Sequence, residues 1–452
     1  MSVRAQTVPA PRAQAVPAAR LPWGFAEFFV ISQTALPAIL ILPGTQAIRL
    51  PIRASAFLVP LAAFVWWNVN SEIRTVPSKT QSWLFSVMFL LSVMVFHPST
   101  PSIAAGVAHA AVYFAVMTPL FWAPALVRTP DHLARLIWLL LVCSGVNALV
   151  GVLQVYDPGR WMPAEFSRML MSTAGGLEAV SYIGAQGQLI VRPPGLFDTP
   201  GAVSGPAAYA ALLGLIFAVS ALPAWQRLVS LGFAGAGLAA IYLTQVRAAL
   251  VITVGMMVVY AVVATRRGRV GRATQFATLA GAIVVGSFTL AVALGGASIS
   301  DRIFSLFAND PLTVYHGARG VQLQATFSDL LYRSPLGSGL GRWGMTASYF
   351  GSSQESMFAE IQFTGWMIDG GVLMIALYLG ALTVTTLSQY RVAGMRQYPK
   401  VAQCGAVVLA ANLGTAALIF SFVPFVTQVG VQYWFLAGAL HGVSQRFGVD
   451  GA

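Results

Sequence analysis

The stretch His132–Val155, HLARLIWLLLVCSGVNALVGVLQV, decides the class of this protein. After Arg135 it carries no charged residue to its end, and its composition is dominated by leucine and valine. A helix needs about 20 consecutive apolar residues to cross the hydrocarbon core of a bilayer. This stretch has that length, and it therefore predicts a transmembrane helix.

Similar apolar runs recur along the whole chain and predict an all-α polytopic membrane protein with about twelve transmembrane helices. The predicted spans are 28–43, 54–69, 82–97, 103–126, 132–155, 202–221, 228–244, 248–265, 273–294, 362–388, 402–421 and 426–442. The composition agrees, because only 9% of residues are charged, whereas globular domains carry roughly 25%. A nucleic-acid partner is excluded, since the net charge of +12 has no soluble face to occupy.

The charges between the spans predict the orientation. With the N-terminus inside, the densest basic cluster, at residues 266–272, falls on the cytoplasmic side, as the positive-inside rule requires. The carboxylates that fall outside are Asp157, Glu165, Glu178, Asp198, Asp301, Asp310, Asp329, Glu355 and Glu360. Arg49 and Arg53, in the first outer turn, oppose this pattern, and a missed or shifted early span would explain them.

This topology divides the chain into a flexible cytoplasmic tail at residues 1–27, a transmembrane domain at 28–442 and a cytoplasmic C-terminal tail at 443–452. Two outer loops, 156–201 and 295–361, are too long to be simple connectors, and loops of that size are usually functional. The second is expected to contain an amphipathic helix. It would start at Asn309-Asp310-Pro311, carry Val314, Ala318, Val321, Ala325 and Phe327 at helical spacing, and stop at Pro335 and the Gly337–Gly341 turn.

Arg192 and Arg247 are the first candidate site residues, because each lies at the outer end of a predicted span. The planar guanidinium fork matches phosphate oxygens and does not deprotonate. Two such groups at one membrane depth fit the binding of a lipid pyrophosphate. The alternative is that each extends to the interface or pairs with an outer carboxylate such as Asp198.

The long second loop holds further candidates. Arg302, Arg319, Arg333 and Arg342 lie in this loop and could bind an anionic glycan or complete a phosphate pocket. Arg319 is favoured because it lies on the predicted amphipathic helix, and a solvated helix face is the alternative for all four. Glu355, Glu360 and His316 are the candidates for a general base, against a role as ordinary interfacial residues. His97, His109, His132 and His441 are expected to be structural, and no pair of histidines has metal-ligand spacing.

Three stretches resemble the O-antigen ligase and O-antigen polymerase superfamily. Arg192–Tyr209, RPPGLFDTPGAVSGPAAY, is similar to its Arg-x-x-Gly-x-Phe segment. Leu243–Leu250, LTQVRAAL, resembles its span-end Ser-Arg-Gly-Ala, with Val246 and Ala248 replacing Ser and Gly. Arg319–Trp343, RGVQLQATFSDLLYRSPLGSGLGRW, resembles its Arg-led helix that closes in Pro-x-x-Gly-x-Gly. These stretches lie in the second half of the chain.

The resemblance implies a metal-independent membrane glycosyltransferase of the C type (GT-C) in the bacterial inner membrane, with its active site facing the periplasm and no cofactor. Its donor would be a glycan on undecaprenyl pyrophosphate, and its acceptor a lipid-linked glycan or lipid A–core; a chain-length regulator is a further expected partner. By residue match, Arg192 and Arg247 would hold the pyrophosphate and Arg319 would assist them.

One departure bears on the reaction. Ligases of this family carry a histidine after the Gly-x-Gly segment, whereas residues 352–360 here contain none. Either Glu355, Glu360 or His316 takes the role of the base, or the protein is not a lipid A–core ligase. The sequence therefore favours a polymerase of lipid-linked repeat units making O-antigen or exopolysaccharide. A ligase is the first alternative, and a transporter of lipid-linked sugars is the second.

Overall fold

The computed structural model describes residues 23–70, 77–166, 176–308, 310, 313, 315–350 and 356–447, and in these ranges the chain is mainly helical. The helices are α1 (Phe25–Ala35), α2 (Arg49–Asn70), α3 (Lys79–Met94), α4 (Ile103–Met117), α5 (Pro119–Leu126), α6 (Pro130–Tyr156), α7 (Pro158–Trp161), α8 (Ser204–Ala218), α9 (Ala224–Thr244), α10 (Arg247–Arg266), α11 (Val270–Gly295), α12 (Ala297–Ala308), α13 (316–333), α14 (Gly344–Phe350), α15 (Gln362–Ala393), α16 (Pro399–Ala417) and α17 (Gln428–Gln445). Short 3₁₀ turns lie at Leu36–Ile41, Thr45–Ile48, Glu178–Val180, Leu418–Phe420 and Pro424–Val426.

The all-α membrane class is confirmed. Helices occupy every one of the twelve predicted segments. Within the described ranges, eight of these helices are long and apolar enough, by length and composition, to cross a membrane. They are α2, α4 with α5, α6, α9, α10, α11, α15 and α16 with its 3₁₀ turn. The segments at Phe25–Ile41 and Ser204–Ala218 form shorter apolar helices, so the full count of twelve spans stays a prediction.

Local sequence signals explain where several helices begin. Ser78, Ser102 and Thr129 each accept a hydrogen bond from a backbone N–H in the first turn of α3, α4 and α6. Such caps satisfy donors that have no partner inside the helix. The first helix begins at Phe25, inside the predicted tail 1–27, and the last ends at Gln445, inside the predicted tail 443–452. Residues 1–22 and 448–452 of those tails lie outside the described residues.

The two long segments, between α6 and α8 and between α11 and α15, define what we call the loop end of the bundle. The first contains a two-stranded antiparallel hairpin of β1 (Ser181–Ile183) and β2 (Leu189–Val191). The second contains α12, α13 and α14. The hairpin is the one sheet within the described part of the chain.

Arg49 and Arg53, which oppose the predicted charge pattern, have a structural partner. Their guanidinium groups both bind the buried carboxylate of Asp198, with Nε of Arg49 and Nη2 of Arg53 each 2.7 Å from one of its oxygens. The same carboxylate is therefore not the partner of Arg192. A buried carboxylate is costly unless it is paired, and the two arginines at the start of α2 supply that pairing.

The helix expected in the second long segment is confirmed over residues 316–333, but the expected apolar face is wrong. Val321, Ala325 and Phe327 are exposed, whereas Thr326 is buried and its Oγ1 lies 2.7 Å from Oγ1 of Thr364 in α15. Two π-helical turns, at His316–Gly320 and Thr326–Leu330, explain the error. Each π turn is wider than an α turn, so a spacing of 3.6 residues does not follow one face. Asn309, Pro311 and Val314 lie outside the described residues.

The longest helix, α15, is interrupted in its first third. Gly370 and Gly371 have non-helical backbone angles, with φ of +62° at Gly371. The loop after α13 fills the break, because Val372 donates its N–H to the carbonyl of Pro335 (2.9 Å) and Ser338 donates to that of Ile368 (2.6 Å). Only glycine fits at 371, where a Cβ would lie 2.0 Å from the Pro335 oxygen. The predicted turn at 337–341 is thus a segment packed into a helix break.

Candidate functional site

The hairpin places Arg192 at the loop end. Arg192 follows β2 directly, its N–H donates to the carbonyl of Val180 (3.0 Å), and its own carbonyl accepts from Gly201 (3.2 Å). These two hydrogen bonds fix the backbone of Arg192 at both its N–H and its carbonyl, and they therefore fix the position of its Cα. The Nε atom of Arg192 is buried and has no hydrogen-bond partner among the described residues.

A tight turn between α9 and α10 places Arg247. Gln245 ends α9 with φ of +56°, an uncommon angle for a residue other than glycine. The Gln245 side chain donates to Oγ of Ser298, at the start of α12 (3.3 Å). Arg247 opens α10 and donates from Nη1 to Oγ of Ser305 on α12 (3.0 Å). The turn is therefore fastened to α12 at two points.

Arg302, on the same helix α12, completes a cluster that we call the arginine cluster: Arg192, Arg247 and Arg302. The positive charge of Arg302 contributes to lowering the pKa of both other guanidinium groups. Burial lowers the pKa of Arg192, and the neighbouring charge of Arg302 lowers it further. None of the three forms an ion pair with a carboxylate in the described ranges.

The charge of Arg302 repels those of Arg192 and Arg247, and no carboxylate of the described residues compensates it, so an anion would stabilise this site. The planar guanidinium of arginine favours carboxylates and phosphates, because two of their oxygens can accept parallel hydrogen bonds from it. The sequence predicts Arg192 and Arg247 for this role, and it predicts that Arg302 binds an anionic glycan or completes a phosphate pocket. The structure brings all three together.

Arg319 and Glu360 form a second group, with His316 on the preceding helical turn. The guanidinium of Arg319 forms an ion pair with the carboxylate of Glu360, and both side chains are partly exposed. Glu360 donates its backbone N–H to Oε1 of Gln322 on α13 (3.1 Å). Within the described residues no hydrogen bond or ion pair joins Arg319 to the arginine cluster. No contact therefore supports the predicted role of Arg319 in binding the phosphate.

His316 is exposed at the edge of an open depression of about 600 Å³. Its Nε2 lies 3.0 Å from Oε1 of Gln324, and Leu323 and Phe327 line the same depression. Among the described residues, no carboxylate forms a hydrogen bond or ion pair with this imidazole. Glu355, the remaining candidate base, lies outside the described residues.

Arg333 and Arg342 occupy different surroundings. Arg333 pairs with Asp329 one turn earlier on α13, with Nε 2.5 Å from Oδ1, and its side chain is 76% exposed. Such a pair is typical of a solvated helix face and contributes little stability. Arg342 is half-buried in the loop after α13, where Nη1 donates to the carbonyl of Ser338 (3.4 Å). In the described structure, no hydrogen bond or ion pair joins Arg333 to the arginine cluster.

Asp369 is a buried carboxylate for which the sequence predicts no role. It is fully buried in α15, next to the Gly370–Gly371 break. It accepts hydrogen bonds from Tyr113 Oη (2.8 Å) and Trp343 Nε1 (2.9 Å), and Nε2 of His109 lies 3.1 Å from its Oδ1. The other ring nitrogen of His109 contacts Oγ1 of Thr346, so His109 has the enclosed environment expected of a structural histidine.

The signal that identifies Asp369 was present in the sequence. A carboxylate inside an apolar run is expensive in a membrane and marks a functional or structural polar site, and Asp369-Gly370-Gly371 interrupts such a run. Its partners could not be read from the sequence, because Tyr113 and Trp343 are distant along the chain. This buried network joins α4, α15 and the loop that fills the helix break.

Comparison with protein-family models and with curated proteins gives no match for this chain. Among the described residues, no group of three or more His, Cys, Asp or Glu side chains could hold a metal ion. The absence of a cofactor therefore stays a prediction.

As a predicted general base, Glu360 would accept a proton from the acceptor hydroxyl. We therefore expect Glu360→Gln to lower turnover and to remove the fall in rate toward acidic pH. A general base acts only when ionised, and glutamine cannot titrate. The pH–rate profile of the purified protein tests this. Arg319→Gln is the matched control, since it breaks the same ion pair and keeps the carboxylate, so its profile should retain the fall. A Glu360→Gln profile with the same low-pH side as the wild type would contradict base catalysis by this residue.

Proposed function

We propose that this protein is a membrane-embedded glycosyltransferase that polymerises lipid-linked oligosaccharide repeat units into O-antigen or exopolysaccharide. The observation that supports this best is the arginine cluster, because it offers three cationic side chains at the loop end that pair with no carboxylate of the described residues. A glycan on undecaprenyl pyrophosphate is the proposed donor, since its pyrophosphate offers pairs of oxygens that can accept two parallel hydrogen bonds from one guanidinium at the membrane interface. The resemblance of the Arg192, Arg247 and Arg319 segments to the O-antigen ligase and polymerase superfamily supports the same donor.

In the proposed reaction, a hydroxyl oxygen of the acceptor sugar attacks the anomeric carbon of the donor. The bond between that carbon and the pyrophosphate oxygen breaks, and both electrons leave with the pyrophosphate. Arg192, Arg247 and Arg302 would stabilise the charge that develops there, as preorganised donors do for oxyanions in other enzymes. The proton of the hydroxyl would pass to Glu360, Glu355 or His316.

The proposed location is the bacterial inner membrane, with the loop end facing the periplasm. The basic cluster at 266–272 lies between α10 and α11, at the end of the bundle opposite Arg247, which suits a cytoplasmic surface. The acceptor would be a second lipid-linked glycan, and a chain-length regulator is a further proposed partner. A ligase that transfers the glycan to lipid A–core is the alternative reaction, and the absence of a histidine in residues 352–360 favours the polymerase.

One observation favours a second candidate function, transport of a lipid-linked sugar. Transporters of several folds use helices that are interrupted near a buried polar site, and α15 is interrupted at Gly370–Gly371 beside Asp369. However, the Asp369 carboxylate is fully buried and its oxygens are bonded to protein side chains. In the arginine cluster, Arg302 is exposed and Arg192 and Arg247 are partly exposed, so a substrate can reach these side chains and we favour the transferase.

A product ladder tests the proposal. The purified protein is incubated with one undecaprenyl-pyrophosphate repeat unit and no other acceptor, and the products are sized. We expect a ladder of multiples of the repeat. A product that appears only when lipid A–core is added would instead identify a ligase. No product under either condition, together with movement of the lipid-linked unit across proteoliposomes, would identify a transporter and overturn the transferase proposal.

A further inference from the structure

Tyr182 lies on the same face of the hairpin as Arg192. The strands pair Tyr182 with Ile190, and Val180 accepts the backbone bond of Arg192. Side chains alternate between the two faces of a strand, so residues 190 and 192 point to one side together with Tyr182. Diagonal neighbours of this kind lie about 7–8 Å apart and are within reach of long side chains. The tyrosine and the arginine therefore share one small surface.

Both side chains carry a buried donor without a partner. The hydroxyl of Tyr182 and Nε of Arg192 are buried and form no hydrogen bond with the described part of the protein. The Tyr182 side chain belongs to the core, with 7% of its surface exposed. Native proteins seldom leave such groups unsatisfied, and each exception needs an explanation such as a missing ligand.

The hairpin is held against the helix that carries Arg302. Oγ of Ser298 in α12 donates to the carbonyl of Ile183 (3.0 Å). A Cβ on Gly296, between α11 and α12, would lie 2.8 Å from the backbone nitrogen of Ala185 in the hairpin turn. The unsatisfied donors of the hairpin and the charge of Arg302 are thus parts of one packed unit, and the distance between them is fixed by the fold.

We propose that the hydroxyl of Tyr182 and Nε of Arg192 donate hydrogen bonds to the pyrophosphate of a prenyl-linked substrate, which makes Tyr182 a binding residue of the arginine cluster. This inference rests on the proposed function, because it takes its ligand from there. Burial raises the pKa of Tyr182 well above its usual value, so the phenol keeps its proton at neutral pH and serves as a donor. A neutral donor adds a hydrogen bond without adding to the repulsion among the three arginines.

The test is Tyr182→Phe, measured by calorimetric titration of the detergent-solubilised protein with farnesyl pyrophosphate and with inorganic pyrophosphate. We expect the affinity for both probes to fall at least about 10-fold, which is the effect typical of losing one hydrogen bond to a charged group. We also expect the melting temperature of the ligand-free variant to stay the same or rise, because phenylalanine removes an unsatisfied hydroxyl. The wild type should bind farnesyl pyrophosphate more tightly than inorganic pyrophosphate.

Tyr209→Phe is the control. Tyr209 is buried in α8, and its hydroxyl has a partner, Oγ1 of Thr415, at 3.3 Å. This variant should melt at a lower temperature and bind both probes as the wild type does. The opposite pattern at Tyr182, with a lower melting temperature and unchanged binding, would show that its hydroxyl is structural and would overturn the inference while leaving the proposed function standing.

Two further outcomes separate the inference from the proposed function. Binding of both probes by the wild type and by Tyr182→Phe with equal affinity would overturn the role of the tyrosine alone. A wild-type protein that binds neither probe would overturn the pyrophosphate site itself, and the inference with it. Tighter binding of inorganic than of farnesyl pyrophosphate would contradict a prenyl-linked ligand.

Discussion

Arg192→Lys and Arg247→Lys are each expected to reduce turnover about 10²–10³-fold, the loss typical of removing one preorganised donor from an oxyanion site. Lysine keeps the positive charge but replaces the planar fork with a single ammonium group. It therefore cannot give two parallel hydrogen bonds to one phosphate. At Arg247 the change also removes the bond from Nη1 to Ser305, which ties α10 to α12.

Turnover is measured from the rate of product formation with the lipid-linked repeat unit, and donor binding is measured separately by titration with farnesyl pyrophosphate. Arg333→Lys is the matched control, because Arg333 is exposed and pairs only with its neighbour Asp329 among the described residues. It should retain the rate of the wild type. If both Arg192→Lys and Arg247→Lys keep full turnover, neither residue holds the leaving group, and the assignment of the arginine cluster is wrong.

The helical class of the protein followed directly from the sequence because it depends on local composition. A run such as residues 132–155 is long enough to cross a bilayer. In the bilayer core it can satisfy its own backbone hydrogen bonds only as a helix. Helix ends were predictable to within a few residues where a cap such as Thr129 is present. The apolar face of α13 was predicted wrongly, because two π turns rotate the helix in a way that residue spacing does not reveal.

The candidate site was predictable in part. Arg192 and Arg247 could be chosen individually, since each stands at the end of an apolar run. The addition of Arg302 depends on the packing of α12 against both the hairpin and the turn at Gln245, and no sequence pattern shows these contacts. The partners of Asp198 were missed for the same reason, because Arg53 is 145 positions away along the chain.

Asp369→Ala is expected to lower the free energy of unfolding by about 3–5 kcal/mol, the cost typical of removing one partner from a buried ionic network. The change leaves the hydroxyl of Tyr113, the indole N–H of Trp343 and the imidazole of His109 without their common acceptor. Each buried donor left unsatisfied costs roughly 1–3 kcal/mol. Asp369→Asn should cost less, because its amide oxygen still accepts one of these bonds.

Thermal unfolding of the detergent-solubilised protein measures the effect, with Asp329→Ala as the control. Asp329 is a half-exposed carboxylate in an i,i+4 pair with Arg333, and such pairs contribute about 0.2–0.5 kcal/mol. Both variants lose a carboxylate, but only Asp369 is buried, so the difference between their melting temperatures measures the effect of burial. Since Asp369 joins α4 to the loop that fills the break in α15, its loss should also expose that loop to limited proteolysis near Pro335. An Asp369→Ala protein that melts and resists proteolysis like the wild type would show that the break is held by the backbone bonds of Pro335 and Ser338 alone.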